Sequence, residues 1–216
     1  EFEIGGGGHI FEYHADVRDG MAYSFVDRGV LGSAVTWKNN VRDGLALESM
    51  QTAPRASTYV ADVRQGVTYT WGEKDDTFTI ANFVDGALEG ELHTFAATTG
   101  ELMALETYKR DQLNGLAVAY DVNGLRSAGT YADGKKEGLW FERRPKSAAD
   151  TERDSTITYV HGAAEGVSRW WYADGLVAEE TIKSGKQVGP FRFWRGGTSW
   201  TAPNWSEYDE LGAFWQ

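Results

Sequence analysis

The residues that could do chemistry in this chain are few and badly spaced for it. Four histidines occur, His9, His14, His93 and His161, and none belongs to a metal-binding spacing such as His-Glu-x-x-His. Cysteine is absent, which removes disulfides, thiolate catalysis and sulfur-ligated metals. Asp75 and Asp76 form an adjacent acidic pair, a kit for general acid and base work or for calcium. Turn carboxylates more simply accept backbone amides. Ser168 and Ser184 sit in no nucleophile motif, and the glycine-rich stretches lack the Lys-Ser/Thr that completes a phosphate cradle. The expectation is a non-enzymatic protein with no metal and no cofactor.

Residues suited to contact are better placed. Six of the nine tryptophans fall between positions 170 and 215. Trp170 and Trp171 are adjacent, so on a strand they point to opposite faces and only one can enter a given core. The other is a candidate docking or stacking surface. Arg143, Arg144 and Lys146 open a basic, proline-interrupted stretch ending at Asp150, which reads as a protruding loop. Trp170, Trp171, Arg143, Arg144 and Lys146 are therefore the candidate binding residues.

What positions them is a repeat. An aromatic residue is followed seven positions later by glycine in Tyr13/Gly20, Trp37/Gly44, Tyr59/Gly66, Phe83/Gly90, Tyr108/Gly115, Tyr131/Gly138 and Tyr159/Gly166. Ile182/Gly189 completes the series with an aliphatic substitute, and successive units start 22 to 28 residues apart. The third residue after each aromatic is Asp, Asn or Gly, a type that tolerates positive φ. His14 and His161 fall beside these turns and should be exposed. The residue before the fixed glycine is acidic or an amide in seven of eight units. After the glycine comes an alternating run such as Met21-Ala22-Tyr23-Ser24-Phe25, the period of a strand. A second turn follows at Gly29, Gly124 and Gly175, with Asn-Gly and Asp-Gly suggesting hairpins whose central residues both take positive φ. A hairpin of this kind cannot bury its apolar face alone and must stack on the next. The predicted architecture is all-β: a single elongated antiparallel array of about eight hairpin repeats over residues 13–197, after an N-terminal lead-in or cap at 1–12. An aromatic-rich cap at 198–216 would fold back over the last hairpin and cover its edge.

The segments Tyr131-Ala132-Asp133-Gly134-Lys135-Lys136-Glu137-Gly138-Leu139-Trp140 and Tyr108-Lys109-Arg110-Asp111-Gln112-Leu113-Asn114-Gly115-Leu116 resemble MORN repeats (membrane occupation and recognition nexus). The similarity is greatest to the bacterial variant found in antitoxin components of toxin–antitoxin systems. It implies the same hairpin array, and a function in binding: scaffolding, lipid contact, partner docking, or immunity. Four units depart from the pattern by replacing the inner-turn glycine with Asp16, Asn40, Asp62 or Asp111, and the last follows its glycine with Pro190. Changes toward the ends suit terminal capping repeats.

Charge narrows the partners. The net charge is −11, which works against nucleic acid and anionic lipid, since both demand clustered Lys and Arg. It suits fast association with a cationic protein such as a toxin with a basic active site. Arg18, Arg42, Arg64 and Lys136 recur at one repeat position beside acids and read as a solvated cross-strand ladder. No apolar run is long enough for a transmembrane helix. The opening Glu1-Phe2-Glu3-Ile4 lacks a methionine and a leader, consistent with a removed signal peptide or an internal start, and Gly5 to Gly8 with a flexible lead-in. Bacterial cytoplasm and a secreted or periplasmic location are both open. The leading expectation is an antitoxin or immunity-type binder that acts by surface occlusion. The alternatives are a self-assembling structural or cell-surface protein, with copies of itself as partner, and a carbohydrate-binding module that uses an outward Trp170 or Trp171.

Overall fold

The computed structural model describes residues 2–5, 8–26, 29–50, 52–72, 76–144 and 153–202, and these are all-β with no α-helix. Residue contacts divide the chain into two compact units, Glu1–Gln112 and Leu113–Gln216. The first holds β1 (Phe2–Gly5), β2 (His9–His14), β3 (Val17–Arg18), β4 (Gly20–Val26), β5 (Val30–Lys38), β6 (Val41–Glu48), β7 (Arg55–Val60), β8 (Val63–Trp71), β9 (Thr77–Val84), β10 (Ala87–Leu88), β11 (Gly90–Ala96) and β12 (Leu102–Lys109). The second holds β13 (Gln112–Asp121), β14 (Gly124–Ala132), β15 (Lys135–Arg144), β16 (Arg153–Val160), β17 (Ala163–Ala164), β18 (Gly166–Tyr172), β19 (Val177–Lys183), β20 (Lys186–Gln187), β21 (Phe191–Arg195) and β22 (Thr198–Ala202). Within each unit strands pair antiparallel with near neighbours in sequence, as in β4–β5, β5–β6 and β6–β7, or β14–β15, β15–β16 and β16–β18. The result is the predicted succession of antiparallel hairpins.

Each repeat aromatic leads into a two-residue turn whose residues are both left-handed. Examples are Asn39 and Asn40 (φ 50° and 68°), Ala61 and Asp62 (48° and 68°) and His161 and Gly162 (51° and 86°). This is the hairpin turn whose twist matches that of the flanking strands. Positive φ thus falls on the second residue after the aromatic as well as the third, even where it is Ala15, Ala61 or Arg110. At the second turns only the glycine adopts it, Gly124 at 101° and Gly175 at 84°, while Asn123 and Asp174 do not.

The fixed glycine also has positive φ in every repeat, from 71° at Gly138 to 126° at Gly20. It lies where one strand carries surplus residues. Ala128 pairs with Phe141 and Thr130 with Glu137, so two steps on β14 match four on β15. Such a bulge increases local twist.

Neighbouring repeats are joined through their turns. Seven backbone bonds connect the third residue after an aromatic to the repeat before it, from Asn40 N donating to Arg18 O (3.1 Å) to Gly185 N donating to Ala164 O (3.0 Å). Side chains add to this. Asn40 Oδ1, Asp62 Oδ1 and Asp111 Oδ1 accept the amides of Arg18, Arg42 and Leu88 in the preceding repeat. The departures from glycine at these three positions are therefore inter-repeat acceptors. The acids before the fixed glycines act likewise: Glu89, Glu137 and Glu165 accept the amides of Arg110, His161 and Ser184 in the following repeat.

Packing differs between the units. In the first, the buried residues are mostly small: Ala22, Ala34, Ala46, Ser57, Thr68 and Ala81, with Tyr59. The second buries Trp140 and a cluster of Leu176, Ala178, Phe191 and Phe193. Trp140 lies against Gly129, where an added Cβ would fall 2.2 Å from the indole. A large residue at one repeat position is matched by the absence of a side chain on the adjacent strand. At the C-terminal end β22 pairs with β21, with Phe193 opposite Trp200. This begins the tail as a further strand; Trp205, Trp215 and the rest of the proposed cap lie outside the described residues.

Candidate functional site

Two settings hold the repeat's basic residues. In the first, each cation is cross-strand from its own repeat aromatic, as in Tyr13 with Arg18, Trp37 with Arg42, Tyr59 with Arg64 and Tyr131 with Lys136. It also stacks on the next aromatic. Arg18 lies 5.1 Å from the Trp37 ring centroid, Arg42 4.1 Å from Tyr59, Arg64 4.6 Å from Phe83 and Lys136 5.0 Å from Tyr159. The ladder expected to be merely solvated is a cation–π zipper, with each contact contributing about 0.5–2 kcal/mol. Arg42 also donates to Asp62, and Glu48 accepts from Arg55 and Tyr59.

Titration follows from these contacts. The Arg42 amide and then its guanidinium hold the Asp62 carboxyl below its ordinary range. For Arg42, partial burial works downward but is outweighed by its hydrogen bond to Asp62 and the charges of Tyr59, Asp62 and Glu48, so the net direction is upward. Burial pushes the Tyr159 phenol up against the opposing charge of Lys136. Burial alone pushes up the Glu180 carboxyl.

The second setting is an open groove of about 400 Å³ in the second unit. Arg126, Arg143, Arg144 and Arg153 line it together with Ile157 and Trp170. Strand pairing assembles it: Arg144 is directly opposite Arg153, Glu142 opposite Ser155, and Ser155 opposite Trp170. Arg126 arrives by a bulge. Ala119 pairs with Ser127 and Tyr120 with Leu125, which leaves Arg126 as the extra residue on β14. Bulges re-aim side chains in this way. The same irregularity leaves Gly32 and Met103 extra in the first unit. All three lie five residues before a repeat aromatic, a coincidence of frame that could have drawn attention to Arg126.

Commitments within the groove are uneven. Arg143 Nε donates to Asp154 Oδ1 (3.0 Å) and its Nη1 to Asn123 O (3.0 Å). Arg153 lies 5.9 Å from the Tyr172 ring centroid. Glu142 is paired with Lys136, and Asp121 Oδ1 accepts the Asn123 amide (2.8 Å). Arg126 is exposed and makes no hydrogen bond or ion pair with any described residue. A smaller groove of about 320 Å³ adjoins this one, sharing Arg126, Glu142 and Arg143 and walled by Trp140 and Tyr131. Tyr131 meets the Trp140 ring edge-on at 5.0 Å.

Of the residues singled out in sequence, Arg143, Arg144 and Trp170 come together here. Trp170 also packs against the cluster of Phe191 and Phe193. Trp171 faces the other way, 39% exposed, opposite Asp154 and Val177 and outside the groove. Lys146 lies outside the described residues. His14 and His161 are exposed, as their turn positions predict. Among the described residues no three His, Cys, Asp or Glu side chains gather as a metal site. The groove's guanidinium groups are suited to charge-assisted, bidentate hydrogen bonding of carboxylate or phosphate. No protein-family model matches this chain, and no curated protein matches its sequence.

Proposed function

We propose that this chain is a non-enzymatic protein-interaction module of the MORN-repeat kind, serving as a bacterial antitoxin or immunity-type binder that occludes its partner's surface. The observation that carries this reading is an exposed aliphatic residue that returns with the repeat, immediately after the fixed glycine. Leu45 and Val67 in the first unit, and Leu116, Leu139 and Val167 in the second, are all exposed, Leu139 by 63%. Their partners across the strands are Thr58, Asn82, Thr130, Thr158 and Thr181. Five of the eight repeats therefore present one apolar side chain beside one short polar one, while the others carry Met21, Glu91 and Pro190 at this position. Repeated exposure of large apolar groups marks contact surfaces. The charge of −11 steers that surface toward a cationic partner.

Light scattering after size exclusion, over a wide concentration range and on protein from its native source, tests the reading. A stoichiometric cationic partner that is retained by the wild-type chain and lost by Leu139→Glu supports it. Growth into large species without a partner replaces it with self-assembly.

A further inference from the structure

We infer that the ring-lined face of β8, β9 and β11 in the first unit is an association surface for a second copy of this chain, which forms a closed two-fold pair by packing sheet on sheet. This goes beyond the reading above, which concerns a different partner. Pairing also covers Val67, two residues before Tyr69 on the same face, and leaves Leu116, Leu139 and Val167 of the second unit to that partner.

Side-chain size is inverted on these strands. Register places Tyr69, Ile80 and His93 in one row and Trp71, Phe78 and Phe95 in the next, six positions on one face. Tyr69 is 41% and Trp71 43% exposed, and the other four are half-buried. The opposite face pairs Thr68 with Ala81 and Thr70 with Thr79, and it is Thr68 and Ala81 that are buried. Hydrophobic burial favours the largest apolar groups inside. Here the strands bury methyl and hydroxyl groups and leave rings outward, an apolar face of the kind that a further layer covers.

The same frame positions in the second unit have no such need. Arg169, Glu179 and Arg192 stand in register where the first unit has Tyr69, Ile80 and His93. Glu179 is buried between the two arginines, at 2.7 and 3.2 Å, so these side chains satisfy one another. The ring face satisfies itself only in part. Trp71 stacks on Phe78 at 6.0 Å, Phe78 on Phe95 at 5.0 Å and Phe95 on His93 at 6.1 Å, all within 23° of parallel. These contacts order the rings before a partner arrives, which lowers the entropy cost of binding.

Charge decides the occupant. None of the six positions is Lys, Arg, Asp or Glu, and Glu91, two residues before His93, already lies 3.3 Å from its Nε2. The connection from β8 to β9 carries Glu73, Lys74, Asp75 and Asp76, of which the first three lie outside the described residues. Neither the strands nor that sequence supplies the clustered cations that nucleic acid or anionic lipid demands. A cationic protein would bury its charges against rings, where an unpaired charge is costly. A second copy brings the same uncharged rings. Open antiparallel faces pack on one another with strands within about 30°, and a two-fold pair needs one patch only, because each copy supplies both halves of the contact.

Sedimentation velocity of the full chain, purified without a partner, tests this from low to high micromolar concentration. The mass should rise to a plateau at twice the 23.9 kDa of the chain and no further, as a closed pair requires. Tyr69→Ala and Trp71→Ala should each weaken the pair by about tenfold or more, as loss of a central aromatic contact does. Tyr69→Phe, which keeps the ring, should restore pairing. Raising salt should tighten the pair, because salt screens the repulsion between two chains of charge −11. A steered cationic partner would be loosened by the same salt, so the two readings fail separately. Leu139→Glu, in the second unit, should leave the pair unchanged, and circular dichroism verifies that each variant is folded. The proposal is overturned if the chain stays monomeric throughout or its mass grows past the pair. It is equally overturned if both alanine variants pair like the wild type, if Leu139→Glu weakens the pair as much as they do, or if salt loosens it.

Discussion

Arg42 in the first unit and Arg126 in the second are the same side chain put to different ends. Arg42 stacks on Tyr59, donates to Asp62 and lies 3.6 Å from Glu48, so its charge is consumed in holding repeats together. Arg126 sits on a bulge at the other end of its hairpin and leaves its charge to the groove. Position within the repeat decides which role a cation takes. Beside the inner turn, the next aromatic is within reach; near the outer turn, only other strand ends are. The second unit keeps both kinds, with Lys136 stacked on Tyr159 and Glu179 buried between Arg169 and Arg192.

The units also differ in what they bury, and the largest effects should appear there. Phe193 is fully buried in the second unit, and Phe193→Ala should destabilise the chain by about 4 kcal/mol. Gly129→Ala should cost about 3 kcal/mol, because the new methyl group meets the Trp140 ring. Urea unfolding measures both, and wild-type stability in Gly129→Ala would break the claim that a glycine makes room for this tryptophan.

A sharper contrast comes from the two arginines. Arg42→Ala should lose about 1 kcal/mol with its ring contact and ion pairs. Arg126→Ala should change stability by no more than about 0.5 kcal/mol. Equal losses in the same unfolding assay would erase the distinction between zipper and groove.

The smallest effects are in acid titration, where two carboxyls move oppositely. The Asp62 pKa is lowered by the Arg42 amide and guanidinium, so its contribution is complete above the unfolded value of about 3.9 and lost as pH falls through the lower folded value. The Glu180 pKa is raised by burial, so its ionised form burdens the folded state at neutral pH. That burden disappears as pH falls from the raised value to below the unfolded one, about 4.3. Calorimetry between pH 7 and 3 should find Asp62→Asn less stable than wild type at neutral pH, with the difference shrinking in strong acid. Glu180→Gln should be more stable at neutral pH, with its advantage gone below about pH 4.

Much of the hairpin order was readable because turns are local. A residue type that tolerates positive φ, placed three positions after an aromatic, sets the turn whatever the rest of the chain does. Ala61 and Arg110 show the limit: they adopt positive φ at 48° and 49° because the turn's geometry and the bonds between repeats impose it, against their own preference. Asp62 and Asp111 were legible as turn formers, but not as acceptors for amides about twenty residues earlier.

The candidate site divides in the same way. Arg143, Arg144 and Trp170 could be suspected from charge and aromatic clustering, whereas Arg126 was marked only by its frame position before a repeat aromatic, since a bulge depends on register between two strands. Adjacency determined that Trp170 and Trp171 would part; the cluster of Phe191 and Phe193 decided which went inward. The amino-acid sequence by itself determined the period, the turns and the alternation of faces, because each is settled by neighbours along the chain. Only the tertiary structure decided which cations are spent on aromatics and which line a groove. That choice depends on strand register and on side chains brought together across strands, where short-range order has no reach.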